Sequence, residues 1–369
     1  MFKWMIKSLF AHKSSLVGSS LGIASAFILV IFFNAVWQGE SEQIVAYPNK
    51  MKPDVWVMQK GVENMHMAMS FVWDWKAKTI QSMPEVKTVT PILYLNTVVV
   101  AGNEKLFAFV VGLINRNKRA GPWKLTQGRT LENAGEIVVP DVFSSLAGLS
   151  LGDMIKIADK SFNIVGFSNG TYSSANPVFF VQFSDLEDLL SSFGTYSYLL
   201  IDSYDGVDNQ LLAQKIRSKI DKVNALTHQE FVANDFALAK QMGVEIIYIM
   251  TIICSVLAAL IVGYSSYSLV NRQAREIAIL KALGCPNIRV FSSVIMQSVI
   301  VTLIAFILAS LFALLVLPVF PQLVAQISVK VSVGALLELG AIAFLVAIVG
   351  AFIPAYKVLG LDPALAYQN

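Results

Sequence analysis

Charge is what this sequence has least of. Asp, Glu, Lys and Arg make up 14% of its 369 residues, where a soluble domain carries about a quarter. The shortfall is local: positions 14–37, 246–270 and 290–329 hold no charged side chain. A net charge of +3, with no basic stripe interleaved with aromatics, excludes a nucleic-acid binder. The two cysteines, Cys254 in an apolar run and Cys285 in a charged loop, exclude a disulfide framework and a zinc site. The three histidines, His12, His66 and His228, are scattered, and no nucleophile–base pairing stands out. No G-x-x-x-x-G-K-[ST] occurs, so the chain has no P-loop for a nucleotide. The chain is expected not to be an enzyme.

What fills the sequence instead is hydrophobic residue, 55% of it, with a mean hydropathy of +0.61. The uncharged run from Ser14 to Trp37 is too long for a signal-peptide core and long enough to span a bilayer. Lys3, Lys7 and Lys13 precede it, which puts the N-terminus in the cytoplasm by the positive-inside rule. Four spans follow from the hydropathy, with both termini inside. The expected organisation is an N-terminal amphipathic segment and first span at 1–37, an extracytoplasmic domain at 38–243, and a second span at 244–270. A cytoplasmic segment at 271–289, a third span at 290–317, an outer loop at 318–330, a fourth span at 331–356 and a cytoplasmic tail at 357–369 complete it. The fold class is thus membrane α-helical, four transmembrane helices, with a large α+β domain between the first and second.

Within 38–243, TVTPILYLNTVVVA at 88–101 and LFAFVVGL at 106–113 read as neighbouring strands joined through Gly102-Asn103. Shorter strands are expected at 136–140, 154–158, 162–167 and 178–182. Helices are expected at 184–193, capped by Ser184-Asp185, and at 208–222. One local composition is unusual. Met65, His66, Met67 and Met69 lie close to Phe71, Trp73 and Trp75, with Met51 and Met58 upstream. Thioether and imidazole groups suit Cu(I), and His66 suits haem iron. An apolar surface lining a cleft for a hydrophobic substrate, through Met65, Met67, Met69, Phe71 and Trp73, is the preferred reading; no metal site is expected, and His66 is the one candidate ligand.

The segment between the second and third uncharged runs, NRQAREIAILKALGCPNI, carries Arg272, Arg275, Glu276 and Lys281, with Arg289 just beyond. As a helix it sets Ala274, Ile277, Ala278 and Lys281 on one side and Arg275, Glu276, Ile279 and Leu283 on another. Gly284 ends it and Pro286 prevents its continuation. Such a helix between two spans suits docking on a soluble partner.

The run Arg275-Glu276-Ile277-Ala278-Ile279-Leu280-Lys281-Ala282-Leu283-Gly284 resembles the cytoplasmic coupling segment of MacB/FtsX/LolC-type ABC transporter permeases. A second resemblance covers the outer region: Trp123 to Gly128-Arg129, then Gly135-Glu136-Ile137-Val138-Val139, Leu146 to Gly152-Asp153, and Phe162 to Gly166 are similar to the MacB-like extracytoplasmic domain in order and spacing. The end, Pro354-Ala355 followed by Leu361-Asp362-Pro363-Ala364, is similar to the family's terminus. Two departures stand out. Gln297 lies where members often have glutamate, and the third span has no glycine.

The resemblance implies a permease subunit of the bacterial cytoplasmic membrane. It implies that ATP and Mg are bound by a separate ABC ATPase dimer, with no cofactor in this chain. Two ATPase clefts call for a second permease chain, identical or paralogous, and a periplasmic adaptor is a further expected partner. Arg275, Glu276, Ile279, Leu280, Lys281, Leu283 and Gly284 are the expected ATPase-coupling residues. The implied mechanism is mechanotransmission, in which ATPase closure moves the outer domains to export a hydrophobic or amphipathic substrate such as a drug, peptide or lipid-linked molecule. The alternative is an FtsX-like signal relay that activates a cell-wall hydrolase or sensor kinase.

Overall fold

The computed structural model describes residues 2–11, 13–66, 69–101, 104–114, 119–172, 177–240, 245–320, 324 and 327–360. The chain divides into two compact units, one of Met1–Gly39, Glu245–Leu323 and Val329–Asn369, the other of Glu40–Val244 and Val324–Ser328. The described chain opens with helices α1 (Phe2–Ala11), α2 (Lys13–Ile44) and α3 (Ala46–Met51). Strands β1 (Val55–Gln59) and β2 (Val72–Trp73), helix α4 (Asp74–Gln81) and strands β3 (Val86–Ala101), β4 (Glu104–Leu113), β5 (Leu125–Gly128) and β6 (Glu136–Pro140) come next. Helix α5 (Asp141–Ala147), strands β7 (Met154–Ile157), β8 (Lys160–Ser168) and β9 (Val178–Gln182), and helix α6 (Phe183–Leu190) follow. The region before the second long apolar helix closes with β10 (Thr195–Tyr196), β11 (Tyr198–Ser203), α7 (Asn209–Lys219), β12 (Val223–Thr227) and α8 (His228–Ala239). The last quarter is helical: α9 (Glu245–Arg272), α10 (Ala274–Ala282), α11 (Asn287–Val316), a 3-10 turn at Leu317–Val319, and α12 (Val333–Leu359).

Four helices are long and apolar enough to cross a membrane: Leu16–Ile44, Glu245–Arg272, Asn287–Val319 and Val333–Leu359. Each has at least 27 residues, above the roughly 20 that a hydrocarbon core of ~30 Å requires. Only 17% to 39% of each apolar window is buried inside the protein. The rest faces outward, as lipid-facing surface does. Without water there is no hydrophobic drive between such helices, and small residues let their backbones approach. Ala305, Ala309 and Ala313 on α11 and Ala343, Ala347 and Ala351 on α12 recur every fourth residue, all essentially unexposed. Alanine therefore does in the third span what glycine does in the family pattern. The α9–α12 crossing does use glycine: a Cβ on Gly350 would stand 3.3 Å from the Gly263 nitrogen. Gln297, buried on α11, lies beside a hydrogen bond of 2.7 Å between Ser266 and Ser298.

In the other unit, a ten-stranded sheet runs β12-β1-β11-β3-β4-β9-β6-β8-β5, with β7 pairing both β3 and β8. The pairs β3–β4, β4–β9, β9–β6, β6–β8, β8–β7 and β7–β3 close a six-strand cycle. Two of these pairs are parallel, β4–β9 and β6–β8. Both faces of the central strands are buried. Val178 and Phe180 enter one core cluster while Phe179 and Val181 enter another, and Tyr198 and Leu200 alternate likewise with Leu199 and Ile201. Strands covered on both sides read as continuous apolar runs, so VFFV and YLLI show no alternation in sequence.

The expected strands at 136–140 and 178–182 match β6 and β9, and the long pair at 88–101 and 106–113 forms the β3–β4 hairpin. The joining Gly102-Asn103 lies outside the described residues. Helix α6 differs at its start: Gln182 is the N-cap and makes no side-chain capping bond. Asp185 does not cap it; its carboxylate accepts from Lys160 Nζ at 2.5 Å and from the Gly135 amide at 2.7 Å. Asp208 does cap α7, accepting from the Gln210 and Leu211 amides. The glycine-centred motifs meet in space. Gly128 pairs with Gly166 across β5 and β8, and Arg129 forks onto Glu136 at 2.6 and 2.8 Å. That guanidinium, helped by the Glu132 and Asn133 amides, holds the Glu136 carboxyl far below the usual carboxylate range.

Candidate functional site

The charged segment folds as the short helix α10, nearly continuous with α9 across Gln273. It ends in a Schellman motif: the Cys285 amide donates to the Leu280 carbonyl and the Gly284 amide to that of Lys281, with Gly284 at φ +84°. Ile277 and Ala278 are buried, and Ile277 packs with Val270, Val290, Val294 and Val358. That anchorage fixes which face α10 leaves outside.

Arg275, Ile279, Ala282 and Leu283 are exposed, at the three- and four-residue steps of one helical stripe, and Gly284 just past the helix end is exposed too. Ile279 is 43% and Leu283 79% exposed. Three expected coupling residues are turned inward instead. Glu276 accepts a hydrogen bond of 2.7 Å from Ser8 of α1. Lys281 donates to the Leu359 and Val358 carbonyls at 2.8 and 3.4 Å. Those carbonyls close α12, where a cation meets the negative end of the helix dipole. Leu280 is half-buried. Arg272, Ile288 (68% exposed) and Arg289, which flank α10 in the same segment, are exposed as well. Across 271–289 Glu276 is the only acidic residue, so the exposed side chains of the segment are mainly apolar and basic: Ile279, Leu283 and Ile288 with Arg272, Arg275 and Arg289.

Among the described residues, the Met–aromatic candidates do not line one cleft. Met65 is a core residue, 3% exposed, packed with Met51 and Met58. Met69, Phe71 and Trp73 form an exposed row at every second position, with Ser70 and Val72 buried between them. Met67 lies outside the described residues. His66 is buried and places Nδ1 2.6 Å from an Asp235 carboxylate oxygen, its ring edge-on to Phe109. Among the described residues no group of three His, Cys, Asp or Glu side chains could hold a metal ion. His66→Leu should strand the buried Asp235 carboxylate and cost about 3 kcal/mol. Thermal unfolding of the purified protein reads this, and an unchanged transition would show the pair to be dispensable.

Family profiles cover both units. The MacB-like periplasmic core domain matches residues 15–219, more than half the chain, and the FtsX-like permease C-terminal matches residues 248–363. The chain belongs to the MacB/FtsX-type ABC transporter permeases. An ABC transporter permease of Mycobacterium tuberculosis is 26% identical over 245 residues, covering 66% of this chain. The match spans 64% of that relative's own length. A putative hemin transport system permease of Staphylococcus epidermidis is 22% identical over 342 residues, 91% of this chain and 90% of its own. The periplasmic region of MacB from Actinobacillus actinomycetemcomitans aligns with 52% of this permease and 96% of itself, at 13% identity and a TM-score of 0.38.

Proposed function

We propose that this permease couples ATP hydrolysis by a separate ATPase, with its ATP and Mg, to motion of the outer domain, and so exports a hydrophobic or amphipathic substrate. The observation that carries the proposal is the exposed face of α10. Ile279 and Leu283 would supply the apolar contact to the ATPase, and Arg272, Arg275 and Arg289 the charged rim. Glu276 and Lys281 would act as struts: they tie α10 to α1 and to the end of α12, so that a push on α10 reaches both. Two permease chains would serve an ATPase dimer, in the bacterial cytoplasmic membrane, with a periplasmic adaptor as a further partner. The Staphylococcus relative named for hemin transport accords with an amphipathic cargo.

The test is coexpression with the cognate ATPase, reconstitution, and measurement of ATP turnover with and without the permease. Turnover that ignores the permease would end the coupling reading. Its topology is separately checkable. The proposal places residues 38–243 outside and 271–289 inside. Single cysteines at Asp159 and Asn287, both exposed, in a background without Cys254 and Cys285, should label from opposite sides with an impermeant thiol reagent. Labelling of both from outside intact cells would refute the four-span arrangement.

A further inference from the structure

We infer that a cavity at the carboxyl ends of β4 and β9 binds an apolar molecule with a hydrogen-bond-accepting head, such as a medium-chain carboxylate or an alkyl phosphate. The inference goes beyond the coupling proposal and does not rest on it. The cavity holds about 580 Å³, inside the ~300–1,000 Å³ range of small-molecule sites. Its floor is Leu113 and Gln182, opposed residues that end two parallel neighbouring strands.

The walls are fixed by the core beneath them. Leu131 is 5% exposed, and Trp123 and Leu125 pack against the same core cluster. Trp123 also lies against Gly170, where a Cβ would stand 3.2 Å from the indole nitrogen. An apolar pocket with preset walls pays little ordering cost on binding.

The polar groups set the head. Lys124, the Trp123 indole N–H and the Gln182 amide can all donate, and none of these side chains has a partner among the described residues. Gln182 is the N-cap of α6 yet makes no capping bond, so its amide is available. The one acid on the wall, Glu132, already faces Arg129 at 3.7 Å. Donors therefore outnumber acceptors, and Lys124 supplies a cation at the rim. An amphiphile with an amine head would meet that cation, with only the neutral Gln182 amide oxygen and Thr130 hydroxyl to accept from it.

The experiment uses the full-length permease in lipid nanodiscs without ATPase and a diazirine-bearing decanoic acid, with labelled peptides mapped by mass spectrometry. Label should concentrate on residues 121–132 and on Gln182. Unlabelled decanoate and decyl phosphate should compete, and equal competition by decanol would overturn the head assignment. Lys124→Glu should lower labelling about tenfold, the loss of ~1.4 kcal/mol, and should raise labelling by the matching decylamine probe. Thr130→Trp, an exposed position on the cavity wall, should block labelling while leaving the thermal transition unchanged. Wild-type labelling in a folded Thr130→Trp, or label spread away from 121–132, would overturn the site. Without ATPase present, neither result bears on the docking face of α10.

Discussion

Leu283→Glu is expected to strip the ATPase from the purified permease. Leu283 projects from the end of α10 with 79% of its surface exposed and forms no part of the buried core. A carboxylate there would enter the apolar centre of the docking face and strand its charge on contact with the partner. Milder truncations, Ile279→Ala and Leu283→Ala, should each cost ~2 kcal/mol, roughly thirtyfold in affinity. Arg275→Glu should act through the rim, weakening association most at low salt, where steering by charge is strongest. Glu276 discriminates between the sequence reading and the structure. If it faced the ATPase, Glu276→Gln would leave a partner cation unpaired and cost several kcal/mol. Bonded to Ser8 at 2.7 Å, its amide replacement keeps an acceptor for the hydroxyl and should retain the ATPase. Retention of the ATPase and its coupled turnover by Leu283→Glu would remove the docking face.

The helix itself was legible because local rules specify it. Gly284 and Pro286 mark the stop, and the structure builds a Schellman motif on that glycine. Which side of α10 faces out was only half legible. The sequence cannot show that Lys281 reaches the end of α12, 78 positions away, or that Glu276 reaches Ser8, 268 positions away. A periodic pattern reports amphipathicity and is blind to such partners.

The sheet domain divides the same way. Its long hairpin has strong β propensity and neighbours in sequence, so β3 and β4 were readable. Strand β1 at Val55–Gln59 pairs with β11 and β12, whose registers join Val55 to Ile201 and to Thr227. Such pairings leave no local mark. The Met65 region shows the limit of composition. Adjacent residues of similar chemistry separate into core and surface: burial alternates from Met69 to Trp73 into the short strand β2, while Met65 is in the core.

The glycines of the outer-domain motifs yield the largest stability effect. In sequence, Gly128 and Gly166 stand 38 positions apart in separate motifs, Gly166 within the expected strand at 162–167; in the structure they are cross-strand partners in β5 and β8. A Cβ on Gly128 would stand 2.2 Å from the Val165 carbonyl oxygen and 2.8 Å from the Gly166 Cα. A Cβ on Gly166 would stand 2.3 Å from the Arg129 carbonyl oxygen. Both obstacles are backbone, so no side chain can swing away and the strands would have to part. Gly128 also sits at φ +75°, where an L-residue costs ~1–2 kcal/mol before any contact. Forced overpacking adds about 1–3 kcal/mol. Gly128→Ala should therefore lower stability by about 3 kcal/mol or more, a large share of the ~5–15 kcal/mol that holds a domain. At ~2–4 °C per kcal/mol, the midpoint should fall on the order of 10 °C. Gly135→Ala is the control: it has a φ of +78° and nothing within 4 Å of its Cβ position. It should show the backbone cost alone, and Gly166→Ala, with no positive φ, the steric cost alone. Near-UV circular dichroism of the purified permease during heating separates the three. Equal shifts for Gly128→Ala and Gly135→Ala would mean that the interlock between β5 and β8 contributes nothing, and that the motif keeps these glycines for backbone conformation only.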